Sequence, residues 1–209
     1  MRVIAGKAKG TPLAAPKLAS VRPMTDRAKE ALFSHLGDRL HQAKVLDLFT
    51  GSGSLAIEAL SRGASSAVMV DASKSAIRVA RDNAIRCGFD NKASFFCDDV
   101  WRFVCRLESS YNFDVVFVDP PYAIEDKRIA KLLEDLGSRL RHGATVCLHR
   151  ERARLGPPRQ YVGARSRGAG RRDGSEPRLL PWPARYRVLF ERAYGGSVLG
   201  VGEITYEGS

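Results

Sequence analysis

The chain has 209 residues and a mass of 23.0 kDa, room for one domain with a substantial core but not for two ordinary domains and a linker. Its 34 Lys and Arg against 23 Asp and Glu give a formal net charge of +11, a balance that favours a polyanionic partner because neutralised phosphates release condensed counterions. No run of about 18 apolar residues is present to span a bilayer, and the opening MRVIAGKAKG lacks the apolar stretch of a secretory signal, so a cytoplasmic protein without membrane contact is expected.

At the front, residues 2–5 and 11–15 flank Gly6-Lys7-Ala8-Lys9-Gly10 as a hairpin that carries two lysines. A helix opens at Thr25 or Asp26, either of which suits an N-cap, with Arg27 and Glu30 as surface charges. From residue 45 onward short apolar runs alternate with helical patterns, the mark of a parallel sheet with helices on both faces. The runs 45–49, 67–71, 94–97, 113–119 and 144–149 predict strands, each apolar enough to be buried on both sides. Segments 55–62, 74–87, 100–108 and 127–141 repeat apolar residues at helical spacing. Ser73 is placed to cap the second of these helices and Gly88 to close it. Between Arg150 and Arg187, eleven arginines stand against Glu151, Asp173 and Glu176, so this stretch carries +8 of the +11. Rich in Gly and Pro and without period, it reads over 153–180 as a long mobile loop, a solvated insertion as readily as a nucleic-acid contact. Segments 187–192 and 197–205 predict a closing pair of strands around Tyr194-Gly195-Gly196. Cys87, Cys97, Cys105 and Cys147 form no CxxC pair and lie in or beside apolar runs, which predicts reduced core thiols and no zinc site. The expected architecture is α/β, a seven-stranded and mostly parallel sheet over residues 39–209, preceded by a small hairpin and helix extension over residues 1–38.

The stretch LDLFTGSGSLAIEAL, residues 46–60, is the most informative. A strand runs through Asp47-Leu48-Phe49, Gly51-Ser52-Gly53 makes a tight turn where backbone approaches a ligand closely, and a helix follows. Ala56 completes a GxGxxG/A pattern that by itself serves a dinucleotide equally well. Asp47 discriminates: a carboxylate at the strand end repels a pyrophosphate in a low-dielectric crevice, yet suits a ligand with an ammonium and a sulfonium. Asp71 ends the next strand 20 residues beyond Gly51, the spacing of an acid that accepts from both ribose hydroxyls. Asp99, past the third strand, is placed for the adenine amino group, with Asp98 a solvated neighbour. Phe49, Ser52, Ala72 and Val100 flank these groups and complete the candidate cofactor set. Strand-end aspartates also cap backbone with no ligand present. The ligand reading is favoured because all of them fall at the carboxyl ends of successive strands, where open sheets bind.

Asp119-Pro120-Pro121-Tyr122 follows the buried run VVFV. The prolines fix their own φ and push the residue before each away from the α region, so the turn is stiff and the Pro120 carbonyl points outward. An aromatic amine is a poor nucleophile because its lone pair is delocalised into the ring. Acceptance of its two N–H bonds by Asp119 and the Pro120 carbonyl draws the nitrogen toward tetrahedral geometry, its lone pair aimed at a methyl donor. Tyr122 offers a face for base stacking, worth about 1–3 kcal/mol.

On these residues the chain resembles the Rossmann-like class I methyltransferases, and more closely the bacterial 16S ribosomal RNA guanine-N2 methyltransferases of the guanine-966 type. The resemblance spans nearly the whole chain: RVIAGKAKG, RPMTDRAKEALFSHL from Arg22 to Leu36, LDLFTGSGSLAIEALSRGA, FVDPPY, and the closing WP and ERAYGGSVL. It implies S-adenosyl-L-methionine as cofactor, 16S rRNA or a small ribosomal subunit particle as partner, no metal, and a monomer. It further implies Arg22, Thr25 and Asp26 near the methionine end of the cofactor or the target pocket, and Lys7, Lys9 and Arg27 toward the RNA. The chain departs from the family pattern at Met24, where a threonine is usual, at Gly196, where an acid is usual, and in the length of the arginine-rich stretch. The cofactor and catalytic motifs are untouched by these departures.

Other readings stay open. A DNA adenine-N6 or cytosine-N4 methyltransferase uses the same turn, though no separate target-recognition domain is present. A non-catalytic RNA-binding assembly factor on a methyltransferase scaffold would be favoured by loss of Asp119 or Tyr122, and both are retained. A nicotinamide dehydrogenase is disfavoured by Asp47.

Overall fold

A computed structural model describes residues 1–16, 24–108, 112–151 and 180–205. The strands are β1 Lys44–Leu48, β2 Ser66–Asp71, β3 Ala93–Cys97, β4 Val115–Val118, β5 Thr145–Glu151, β6 Tyr186–Tyr194 and β7 Ser197–Ile204. The helices are α1 Asp26–Leu36, α2 Ser54–Ser61, α3 Lys74–Arg86, α4 Val100–Cys105 and α5 Asp126–Gly137. All seven strands join one sheet in the order β3-β2-β1-β4-β5-β7-β6. Strands β1 to β5 are parallel, β7 runs antiparallel to β5, and β6 antiparallel to β7. This is the mostly parallel, seven-stranded α/β sheet that the alternating runs predict.

Side chains alternate across a strand, so one run feeds two cores. Val45 and Phe117 pack with Leu32, Phe33, Ile57 and Leu60 on the α1 and α2 side. Leu46, Leu48, Val116 and Val118 pack with Val104, Ile129, Leu132 and Leu136 on the α4 and α5 side. Each fully buried leucine or phenylalanine contributes about 1.5–3 kcal/mol relative to exposure, which is why β1 and β4 read as continuous apolar runs.

Several expectations are corrected. β3 is not buried on both sides: Ser94, Phe96 and Cys97 are exposed. It pairs only with β2 at the end of the sheet, a position that composition does not encode. The thiols are unpaired, but only Cys147 is buried; Cys87 is half-buried, and Cys97 and Cys105 are exposed. α4 ends at Cys105 and α5 at Gly137, short of the predicted 108 and 141. β6 continues to Tyr194, leaving Gly195 and Gly196 as the turn. The front hairpin contains a single bridge, Arg2 with Pro12, in place of two full strands.

The amino-terminal segment is nonetheless firmly attached, by α2. Glu58, fully buried on that helix, accepts from Ile4 N at 2.7 Å, Ala5 N at 3.0 Å and Arg62 Nε at 2.8 Å, and pairs with Lys29 Nζ at 3.2 Å. Burial by itself pushes the Glu58 carboxyl up, but the Ile4 amide, Arg62 and Lys29 hold it below the ordinary range. Burial lowers the Lys29 ammonium, with Glu58 opposing. Lys7 N donates to Ser61 O at 2.8 Å, and Ala8 N to Ser61 Oγ at 3.0 Å. A Cβ on Gly6 would lie 1.9 Å from Ser61 O, and its φ is +83°, so only glycine allows this approach.

Candidate active site

The chain leaves β1 for β2 and β3 on one side and returns to β4 on the other, so the sheet has a switch point between β1 and β4. Open α/β sheets bind ligands at that place, beyond the carboxyl ends of the strands. A cavity of about 460 Å³ lies there. Asp47, Phe49, Gly51 and Ser52 line it after β1, Asp71 and Ala72 after β2, Asp99 and Val100 after β3, and Asp119 and Pro121 after β4. Met1, Ala15 and Met24 close one side.

Asp47 is fully buried, and its Oδ2 accepts from Thr50 Oγ1 at 2.7 Å and Ala56 N at 3.2 Å. It thereby ties the glycine loop to the first turn of α2. Burial pushes its carboxyl up to about 7 despite those hydrogen bonds. Phe49 has φ +60°, a left-handed conformation costing roughly 1–3 kcal/mol in a non-glycine residue and found mainly at functional sites. Its ring lies 5.5 Å edge-on from Trp101. Gly51 N donates to Asp71 Oδ2 at 2.9 Å and Ser73 N to Asp71 Oδ1 at 2.9 Å, so Asp71 orients the loop from the neighbouring strand. Gly53 stands behind the wall: a Cβ there would press on Met69 Sδ and Ala80 Cβ, both at 3.2 Å, which makes it a packing glycine. Asp99 caps α4 by accepting from Arg102 N at 3.0 Å while also facing the cavity. Asp98 turns away to pair with Arg106.

These groups fit S-adenosyl-L-methionine. Each Asp71 oxygen accepts one backbone N–H and retains a further acceptor site for a ribose hydroxyl. A carboxyl near neutrality at Asp47 is ready to ionise beside a cationic ligand. The volume is that of an ordinary small-molecule pocket.

At the β4 end, Asp119 Oδ1 lies 2.8 Å from His149 Nδ1. Ile124 N donates to Pro121 O at 3.1 Å, closing the turn. Tyr122 stands 6.3 Å edge-on from the His149 ring; it and Pro120 stand outside the cavity wall. Arg150, also fully buried, donates through Nη2 to Ile124 O at 2.6 Å and to Asp126 Oδ1 at 2.8 Å. The end of β5 therefore grips the segment after β4 through two adjacent residues. Sequence reasoning missed Thr50, His149 and Arg150; a polar residue at the carboxyl end of a buried run was the available signal for the last two.

The remaining candidates are dispersed. Thr25 is the N-cap of α1, its hydroxyl accepting from Ala28 N at 3.2 Å, and is not in the cavity wall. Arg22 lies outside the described residues, as does the predicted loop apart from its last residue, Leu180. Lys7 and Lys9 are exposed. Lys9, Arg2 and Arg27 border a second cleft of about 300 Å³ together with Asp26 and Glu30. Among the described residues no helix is long and apolar enough to cross a membrane, and no group of three or more His, Cys, Asp or Glu is arranged to hold a metal.

A family model described as "Conserved hypothetical protein 95" matches residues 1–172. The chain is 37% identical over 134 residues to the putative rRNA methyltransferase YlbH of Bacillus subtilis, covering 64% of this chain and 72% of that protein. It is 34% identical over 139 residues to the ribosomal RNA small subunit methyltransferase D of Escherichia coli, covering 66% and 68%. Among solved structures it superposes with a TM-score of 0.76 on the putative methyltransferase yhhF from Escherichia coli, at 23% identity over 99% of each chain, a likeness of fold.

Proposed function

The chain belongs to the family described as conserved hypothetical protein 95, and from that membership we propose that it methylates the exocyclic N2 amine of a guanine in 16S rRNA. S-adenosyl-L-methionine is the methyl donor, and a small-subunit assembly particle is the substrate of a monomeric enzyme. The observation that carries this reading is the Asp119-Pro120-Pro121-Tyr122 turn, which brings Asp119 and Pro121 to the wall of the cavity that Asp47, Asp71 and Asp99 also line.

The donor supplies a methyl group already activated on a sulfonium. Asp71 would hold the ribose of the donor, Asp99 its adenine, and Asp47 would offset its positive charge. Asp119 and the Pro120 carbonyl accept the two N–H bonds of the guanine amine and set its lone pair in line, while Tyr122 stacks on the base. Positioning and electrostatics supply most of the acceleration. Transfer would form the N–C bond as the donor's C–S bond breaks, and the cationic amine left behind would pass its proton to Asp119 or to water. Residues 1–38, with Lys7, Lys9 and Arg27, present the RNA to a catalytic unit of residues 39–209.

The test is to supply labelled donor with 16S rRNA, small-subunit particles, 23S rRNA or duplex DNA, and to locate the label by nuclease digestion and mass spectrometry. N2-methylguanine in 16S rRNA is the expected product. Label found only on adenine or cytosine of DNA would overturn the assignment.

A further inference from the structure

His149 has no assigned role, and its surroundings supply one. The parallel register pairs Val118 with Leu148, so the next residues, Asp119 and His149, stand side by side on one side of the sheet. The contact is 2.8 Å between Asp119 Oδ1 and His149 Nδ1. His149 is 3% exposed and Asp119 22%, so the histidine is fixed by packing while the aspartate reaches the cavity. Oδ2 of Asp119 takes no hydrogen bond from the described residues.

The ring's other nitrogen settles which atom carries the proton. His149 Nε2 is buried without a hydrogen-bond partner among the described residues. A proton there would place an N–H in the core with no acceptor, and would leave the Nδ1 lone pair facing a carboxylate oxygen. A proton on Nδ1 in place of Nε2 avoids both faults: Nδ1–H donates to Asp119, and only a lone pair is left buried. A carboxylate is otherwise loosely held about its terminal torsion. Donation to Oδ1 fixes that torsion and leaves Oδ2 as the acceptor turned toward a ligand.

We propose that His149 is the positioning residue of the reaction, orienting the Asp119 carboxylate so that its second oxygen accepts the N–H of the target amine. This rests on the methyl-transfer reading above and deepens it at the same site. The same ring stands edge-on to Tyr122, so it braces both groups that meet the base.

The experiment compares wild type, His149→Leu and His149→Asn in single-turnover transfer of labelled methyl to 16S rRNA, with calorimetric binding of S-adenosylhomocysteine alongside. His149→Leu should slow transfer by about 10- to 100-fold, the range for losing a group that orients a functional side chain, with KM for RNA and the calorimetric affinity unchanged. The asparagine amide nitrogen occupies the place of Nδ1, so His149→Asn should recover most of that loss. Ring nitrogen spectra of histidine-labelled wild type should show His149 protonated and hydrogen-bonded at Nδ1. Transfer by His149→Leu at the wild-type rate, or by His149→Asn no faster than by His149→Leu, overturns the positioning role while the methyl-transfer reading stands. A wild type that labels no nucleic acid overturns that reading and this inference with it.

Discussion

Asp47 sits where a carboxylate loses its water, and its proton balance follows. Burial raises it from 3.8 to about 7, so between those values the folded chain binds a proton that the unfolded chain has released. Its favourable contribution to stability is present below the unfolded value and is lost as pH rises toward 7. Asp47→Asn keeps an oxygen for Thr50 and Ala56 but cannot ionise, so the difference in unfolding free energy between wild type and variant should fall steadily from pH 4 to 7 in urea titrations. Parallel pH curves would refute the assignment. A cationic donor favours the ionised form, and calorimetry in buffers of different ionisation enthalpy should record proton release on binding near neutrality. Asp119→Ala should reduce turnover by orders of magnitude and leave donor affinity nearly intact, the signature of a loss felt in the transition state. Near-normal single turnover would remove Asp119 from the chemistry. Asp71 and Asp119 were legible in the sequence because each ends an apolar run, and Asp47 because it interrupts one just before the glycine turn. Thr50 and His149 were not, since one is a plain turn residue until its hydroxyl is seen on Asp47, and the other acquires meaning only from the β4–β5 register.

At the scale of elements, α2 is buried from Leu55 to Ser61 and serves as the attachment for everything before residue 9. Its pattern shows a helix, but Glu58 in the middle of IEAL gives no hint that it receives backbone N–H groups from 53 and 54 residues away. Glu58→Gln leaves Lys29 buried without its counter-charge, a change that typically costs about 3–5 kcal/mol. The expected result is a lowered melting temperature and faster amide exchange at Ile4 and Ala5 than elsewhere. Unchanged protection at those two amides would show that the other contacts, to Ser61 and Asn83 among them, secure the segment without Glu58. β3 illustrates a different limit: FFC in its sequence reads as core, whereas the strand order puts it at the edge. Helix ends were misjudged by three or four residues for the reason that apolar spacing continued past Cys105 and Gly137 into turns that are themselves buried, at Leu107 and Leu140.

For the whole molecule, the parallel order was readable from alternation, but the placement of β7 between β5 and β6 was not, because an antiparallel pair at a sheet's end can dock by either strand. Gly200 and Gly202 lie on β7 against Trp182. A Cβ on Gly200 would lie 2.9 Å from Trp182 Cζ2, and one on Gly202 3.0 Å from Cζ3, so the indole lies against bare backbone. Net charge of +11 predicts salt-sensitive RNA binding, and the exposed Lys7 and Lys9 test it locally. Replacing both by alanine should lessen the slope of log affinity against log salt by about 0.7 for each phosphate of single-stranded RNA that the variant no longer neutralises. An unaltered slope would place the RNA elsewhere on the surface. The same short segment, residues 1–16, also supplies Met1 and Ala15 to the donor cavity. On the proposed reading this stretch of chain takes part in two equilibria, and thermodynamic linkage makes their influence mutual: the factor by which RNA changes the affinity for S-adenosylhomocysteine must equal the factor by which S-adenosylhomocysteine changes the affinity for RNA. Measured in both directions, the two ratios should agree and differ from one in the wild type, and should both move toward one when Glu58→Gln loosens the segment's hold on α2.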